Sequence, residues 1–159
     1  MIGKLLSCQD KVDHFSLKLF YNEEWVCLMG IDDHVILPVE NGEYKVVQIE
    51  FDGKPYLRFS DTPPFVALHG FLLQSFLDER NVHYATIVDI GHDGQSIQIP
   101  APHGEQYRLV GAGIALVNLE HEVIKFHGKS VGYNIGIDFQ QLEVFKQFLP
   151  DWRFIDYDK

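Results

Sequence analysis

The sequence predicts an α+β fold: a mixed, mainly antiparallel sheet with two principal helices and an N-terminal β extension. Three observations carry that expectation. At least six short runs are rich in β-branched and aromatic residues, the signature of strands. Only two stretches, residues 65–80 and 137–149, place apolar residues at helical spacing. Those two stretches stand apart instead of alternating with every strand, as a doubly wound sheet would require. The 159 residues suit one main domain. A chain of this size buries roughly 70% of its unfolded surface, enough for a core without disulfide staples.

Taken in order, residues 14–20, 24–30 and 34–39 are short apolar pieces. Tyr21-Asn22-Glu23 and Ile31-Asp32-Asp33 offer tight turns between them, so they read as a small meander. Residues 1–40 are therefore expected to form a β extension packed on the sheet of a main domain over 41–159. A lone hairpin is marginal in water, and Phe15, Leu17, Trp25 and Leu28 need a partner to cover them. Asn41-Gly42 punctuates the chain. The run over 44–51 reads as a strand, and Asp52-Gly53 turns it into a hairpin with Pro55–Ser60. Asp61-Thr62-Pro63-Pro64 has the makings of a helix start, an Asp or Thr to cap free N–H groups and a proline for the first turn. Apolar residues at 65, 68, 72, 73, 76 and 77 then predict a helix over 65–80. Strands follow over 83–90 and 96–100, then a Pro- and Gly-containing loop from Ala101 to Glu105. Three further strands are expected in QYRLVGAG, IALVNLE and EVIKFHGKS. The second helix, over 137–149, stops at Pro150, and Trp152–Ile155 is placed to close the sheet.

Composition removes several functions. Lys and Arg number 13 against 23 Asp and Glu, a formal charge of −10. Nucleic-acid binding rests on cations that neutralise phosphates, so no nucleic acid is expected as a partner. An anionic membrane surface is excluded by the same charge, and no run of 18 apolar residues spans a bilayer. The opening residues lack a long apolar core and a small-residue cleavage site, which points to the cytoplasm. Cys8 and Cys27 form neither a disulfide framework nor a metal spacing. Eight histidines are present, yet none falls in HxH or HExxH, and His121 and His127 meet only across a hairpin. No metal and no cofactor is expected. Gly111-Ala112-Gly113 is too short for a dinucleotide or Walker fingerprint.

One stretch carries a resemblance. Residues 111–134, GAGIALVNLEHEVIKFHGKSVGYN, precede a helix with Glu143 and then Leu149-Pro150-Asp151-Trp152. This resembles the C-terminal half of the Janus/Ocnus family of phosphohistidine phosphatases: a Gly-rich turn, a strand pair, a Tyr-Gly-x-Ser-x-x-Tyr-Gly pattern, a helix and a Pro-Asp-aromatic end. The pieces fall in register at Gly111, Gly113, Ile124, Gly128, Ser130, Tyr133, Glu143, Pro150 and Asp151. Upstream, Lys45 matches the family's anion-binding lysine on its first strand. His69 matches the catalytic histidine that opens the first helix. The similarity covers residues 43–159, with an extra segment of about twenty residues between the first helix and Gly111.

The resemblance implies a phosphatase-like hydrolase acting on phosphohistidine or a small phosphate ester. His69 is its base or nucleophile, Lys45 and Ser130 hold phosphoryl oxygens, and Gly70 and its neighbours offer N–H groups at the helix start. A small anion or a phosphorylated protein is then the partner. The departures bear on activity. The family arginine after the glycine turn is Ile114, the aromatic before the catalytic histidine is Leu68, and the alanine after it is Gly70. The pattern's first Tyr is His127 and its last Gly is Asn134. The rival expectation is a non-catalytic ligand- or protein-binding module on the same fold. Each candidate also has a plainer role: His69 as a satisfied helix histidine, Lys45 as a surface lysine among acids, Gly-Lys-Ser as turn chemistry.

Overall fold

A computed structural model of the chain describes residues 18–21, 24–27, 34–61, 68–91 and 93–159. The chain divides into two compact units, Met1–Asp33 and His34–Lys159. The first contains an antiparallel hairpin of β1 (Lys18–Tyr21) and β2 (Glu24–Cys27), in register from Lys18 opposite Cys27 to Tyr21 opposite Glu24. The boundary falls before His34, not after residue 40. The expected third strand over 34–39 is absent: Val35 makes a single bridge to Leu57, and Val35 and Leu37 pack into the core of the second unit. The expected burial of Phe15, Leu17, Trp25 and Leu28 falls on side chains outside the described ones.

The second unit is built on β3 (Gly42–Phe51) and β4 (Lys54–Phe59), α1 (His69–Glu79), β5 (Thr86–Ile90), β6 (Ser96–Pro100), β7 (Tyr107–Asn118), β8 (Val123–His127), β9 (Lys129–Ser130), β10 (Ile135–Gly136), α2 (Phe139–Phe145) and β11 (Arg153–Asp156). The main sheet runs β11-β8-β7-β3-β4. Every neighbour pair in it is antiparallel except β11 with β8. This is the mixed, mainly antiparallel α+β arrangement that the sequence predicts. Asp52 and Gly53 both take positive φ, 48° and 75°, the backbone that a two-residue hairpin needs to match strand twist.

Strand alternation sends β3 side chains to two cores. Val47 and Ile49 face a cluster with Leu73, Phe76 and Leu77 of α1, joined by Ile99 of β6. Val46 faces the opposite cluster, with Leu142 and Phe145 of α2. The helices thus cover opposite faces of one sheet, and the separate β5–β6 hairpin lies on the α1 side.

Three expectations need correction. Strand β7 is one twelve-residue strand, not two, because its glycines are packing positions. A Cβ on Gly111 would collide with the Gln48 side chain, and one on Gly113 with the His127 carbonyl and Ile137. The first helix begins at His69, since Leu68 is extended (φ −113°, ψ 142°), and no side chain caps it. Residues 62–67, with Thr62 and both prolines, lie outside the described residues. The second helix is confined to Phe139–Phe145, since Asp138 caps it by accepting from the N–H groups of Gln140 and Gln141.

Candidate functional site

The site grows from the β3–β7 pairing. Lys45 lies directly opposite Ile114, and Ile114 opposite His127, so the three share the α1 face of the sheet. The first residue of α1 arrives at the same place. His69, 6% exposed, is 2.8 Å through Nε2 from the carbonyl oxygen of Gly113, the residue before Ile114. A carbonyl oxygen only accepts, so Nε2 carries the proton and the neutral ring keeps its lone pair on Nδ1. Among the described residues nothing hydrogen-bonds Nδ1.

Burial pushes the His69 imidazole down to about 4; the Gly113 carbonyl pulls the other way, the Lys45 ammonium adds to the drop, and Asp89 opposes it. At neutral pH the ring is therefore uncharged. Desolvation is the leading cause. Lys45 is itself buried, which lowers its pKa, while Asp89 partly offsets that. His69 thus lies within electrostatic reach of the Lys45 ammonium.

Ser130 and Gly70 have structural duties in the fold. The Ser130 Oγ accepts from the Tyr133 N–H at 3.4 Å, within a turn whose Tyr133 hydroxyl donates to the Pro100 carbonyl at 2.8 Å. Ser130 is buried. Gly70 is where α1 touches β6: a Cβ there would stand 2.5 Å from Ile99 Cγ2. Its lack of a side chain serves helix packing, which sequence reasoning did not assign to it.

What links the Ser130–Tyr133 turn to His69 and Lys45 is a residue that sequence reasoning missed. Asp89 of β5 lays its carboxylate on Gly132, so closely that a Cβ at Gly132 would overlap it. Its charge reaches Lys45, His69 and the Tyr133 phenol. Burial, then Tyr107 and Asp89, push the Tyr133 pKa upward, so this phenol stays neutral. The sequence carried a misleading signal here, because Thr86-Ile87-Val88-Asp89-Ile90 invites burial of Val88 and Ile90. The structure turns the other edge, with Ile87 and Asp89 half-buried, toward the α1-side core.

Among the described residues no group of three His, Cys, Asp or Glu is placed to hold a metal ion. Among them, too, no helix is long and apolar enough to cross a membrane. No protein-family model matches the chain, and no curated protein matches it in sequence.

Proposed function

We propose that the chain is a divergent Janus/Ocnus-like protein whose His69 serves a phosphatase-like hydrolysis of phosphohistidine or a small phosphate ester. One observation carries the reading: a buried, neutral imidazole, held by the Gly113 carbonyl, keeps its Nδ1 lone pair available beside the Lys45 ammonium. As nucleophile, Nδ1 forms a bond to phosphorus while the bond to the leaving oxygen or nitrogen breaks and its electron pair departs with that group. Water then attacks the phosphorylated ring, releasing phosphate and restoring His69. As base, the same lone pair takes a proton from the attacking water. Lys45 offsets charge on the phosphoryl oxygens. The −10 charge weakens electrostatic capture of any anion, a nucleic acid most of all, so a small anion or phosphorylated protein would have to be held by local contacts.

Ile114 favours the second reading, a non-catalytic binding module. It sits beside Lys45 on the same face, where a guanidinium would make a bidentate contact with phosphate oxygens. A charge-assisted hydrogen bond contributes roughly 1.5–3 kcal/mol net, which is about 10- to 150-fold in affinity. The expected outcome is feeble hydrolysis of p-nitrophenyl phosphate by the wild type, none by His69→Ala, and phosphate binding strengthened by that factor in Ile114→Arg. Calorimetry and a turnover assay measure both. Undetectable phosphate binding by wild type and Ile114→Arg alike would remove the anion site and leave the binding module ahead.

A further inference from the structure

On the α1 side of the main sheet, α1 and the β5–β6 hairpin pack on the end that carries Val47, Ile49, Leu109 and Ala112. The same face continues past the row of Lys45, Ile114 and His127. There the register sets Glu43, Leu116, Lys125 and Ile155 side by side across β3, β7, β8 and β11, with Val123 and Arg153 in the row beyond. These rows line an open groove of about 660 Å³, and its walls come only from the sheet's own strands and the β7–β8 turn at His121. That volume is of the size that binding sites occupy. The charge of the groove opposes that of the chain. The net charge is −10, yet Lys125 and Arg153 are exposed here and Glu43 is the one acid in the lining. Among the described residues neither cation is in an ion pair: such pairs engage Arg80, Arg108, Lys146 and Lys159, while Lys125 lies over the Tyr157 ring, 5.6 Å from its centroid.

We propose that this groove docks an extended, acidic segment of a partner protein. Lys125 and Arg153 stand one strand and two residues apart, which is roughly 8 Å by strand spacing and rise. Alternate side chains of an extended chain lie roughly 7 Å apart on one side of it. Acids at two alternate positions of the segment therefore meet both cations, and apolar residues on the same side reach Leu116, Val123 and Ile155. Two cations in so acidic a chain are too few for a nucleic acid, whose binding sums many phosphate contacts. The surface needs no phosphate and stands apart from the chemistry of His69.

The test is fluorescence anisotropy of the full chain with a short labelled peptide. The peptide carries Glu at two alternate positions and Leu at the next two, and a twin with Gln for Glu is the control. The Glu peptide is expected to bind more tightly than its twin and to weaken as salt is added. Lys125→Gln or Arg153→Gln should each cost about threefold in affinity, and Lys125→Glu with Arg153→Glu together roughly tenfold or more. Lys146→Glu, on α2 at the opposite face, changes the net charge without touching the groove and should leave binding unchanged. Equal binding of the two peptides, or the same loss in Lys146→Glu as in the groove variants, overturns the proposal. So does absence of binding, or tighter binding of a single-stranded oligonucleotide than of the Glu peptide.

Discussion

The two helix starts solve the same problem in opposite ways. Both face the central strands, and both bring a polar group against buried backbone. At α2 everything is closed: Gln48, fully buried in β3, donates from Nε2 to the Asp138 carbonyl at 2.9 Å and accepts at Oε1 from the Asp138 N–H at 2.8 Å. Asp138 in turn caps the helix. At α1 the start is uncapped, and His69 uses one ring nitrogen on Gly113. Buried polar groups are almost always paired, because an unmade hydrogen bond there costs the desolvation of the group. A fully satisfied amide is therefore structural. A half-satisfied imidazole, held neutral by burial, retains chemistry.

The largest effect that would sharpen this contrast is expected at Gln48. Gln48→Ala leaves both Asp138 backbone groups without their partner and opens a cavity, which should lower unfolding free energy by about 4 kcal/mol in chemical denaturation. A loss below about 1 kcal/mol would mean the amide is not the structural tie. Next comes His69, whose signature is pH. Its folded pKa lies near 4, below the ordinary 6.5. Between those values the unfolded chain binds more protons, so stability is fully present above pH 6.5 and falls as pH drops through 4. The loss approaches about 3 kcal/mol. His69→Gln should flatten that segment of the stability–pH curve; an unchanged slope would break the comparison. Smallest is the cap: Asp138→Ala should cost about 1 kcal/mol, read as a lower melting temperature.

How much of this was legible from residues follows a simple division. The β3–β4 hairpin is announced by Asp52-Gly53, and the end of the α2 segment by Pro150, because turn and helix-end chemistry is local. The start of α1 is not legible in Asp61-Thr62-Pro63-Pro64, since the extended Leu68 delays the helix to His69. Strand β7 reads as two because Gly111 and Gly113 look like a turn. Their real reason, the close approach of Gln48 and Ile137, involves residues far away in sequence. Lys45 and His69 were nominated by resemblance; the register sets Lys45 opposite Ile114, next to the Gly113 whose carbonyl holds His69. Asp89 was illegible, because alternation alone favours burying Val88 and Ile90. Only the docked hairpin reveals which edge turns inward.

The pairing of Lys45 with Ile114 also has a kinetic consequence. Strands β3 and β7 are joined by a connection that contains β4, α1 and the whole β5–β6 hairpin. Hairpins form in microseconds, whereas pairing of distant strands must first meet the entropy of closing the intervening loop. That entropy grows only logarithmically, about 0.6 kcal/mol for each doubling of loop length. Carrying an additional hairpin inside so long a connection therefore slows assembly little. The order of events is constrained nonetheless: β5–β6 can assemble before the central pair closes, so Asp89 is positioned on its strand before Lys45 and the Gly113 carbonyl are brought into line. Refolding followed at a β5–β6 probe should run ahead of refolding followed at His69.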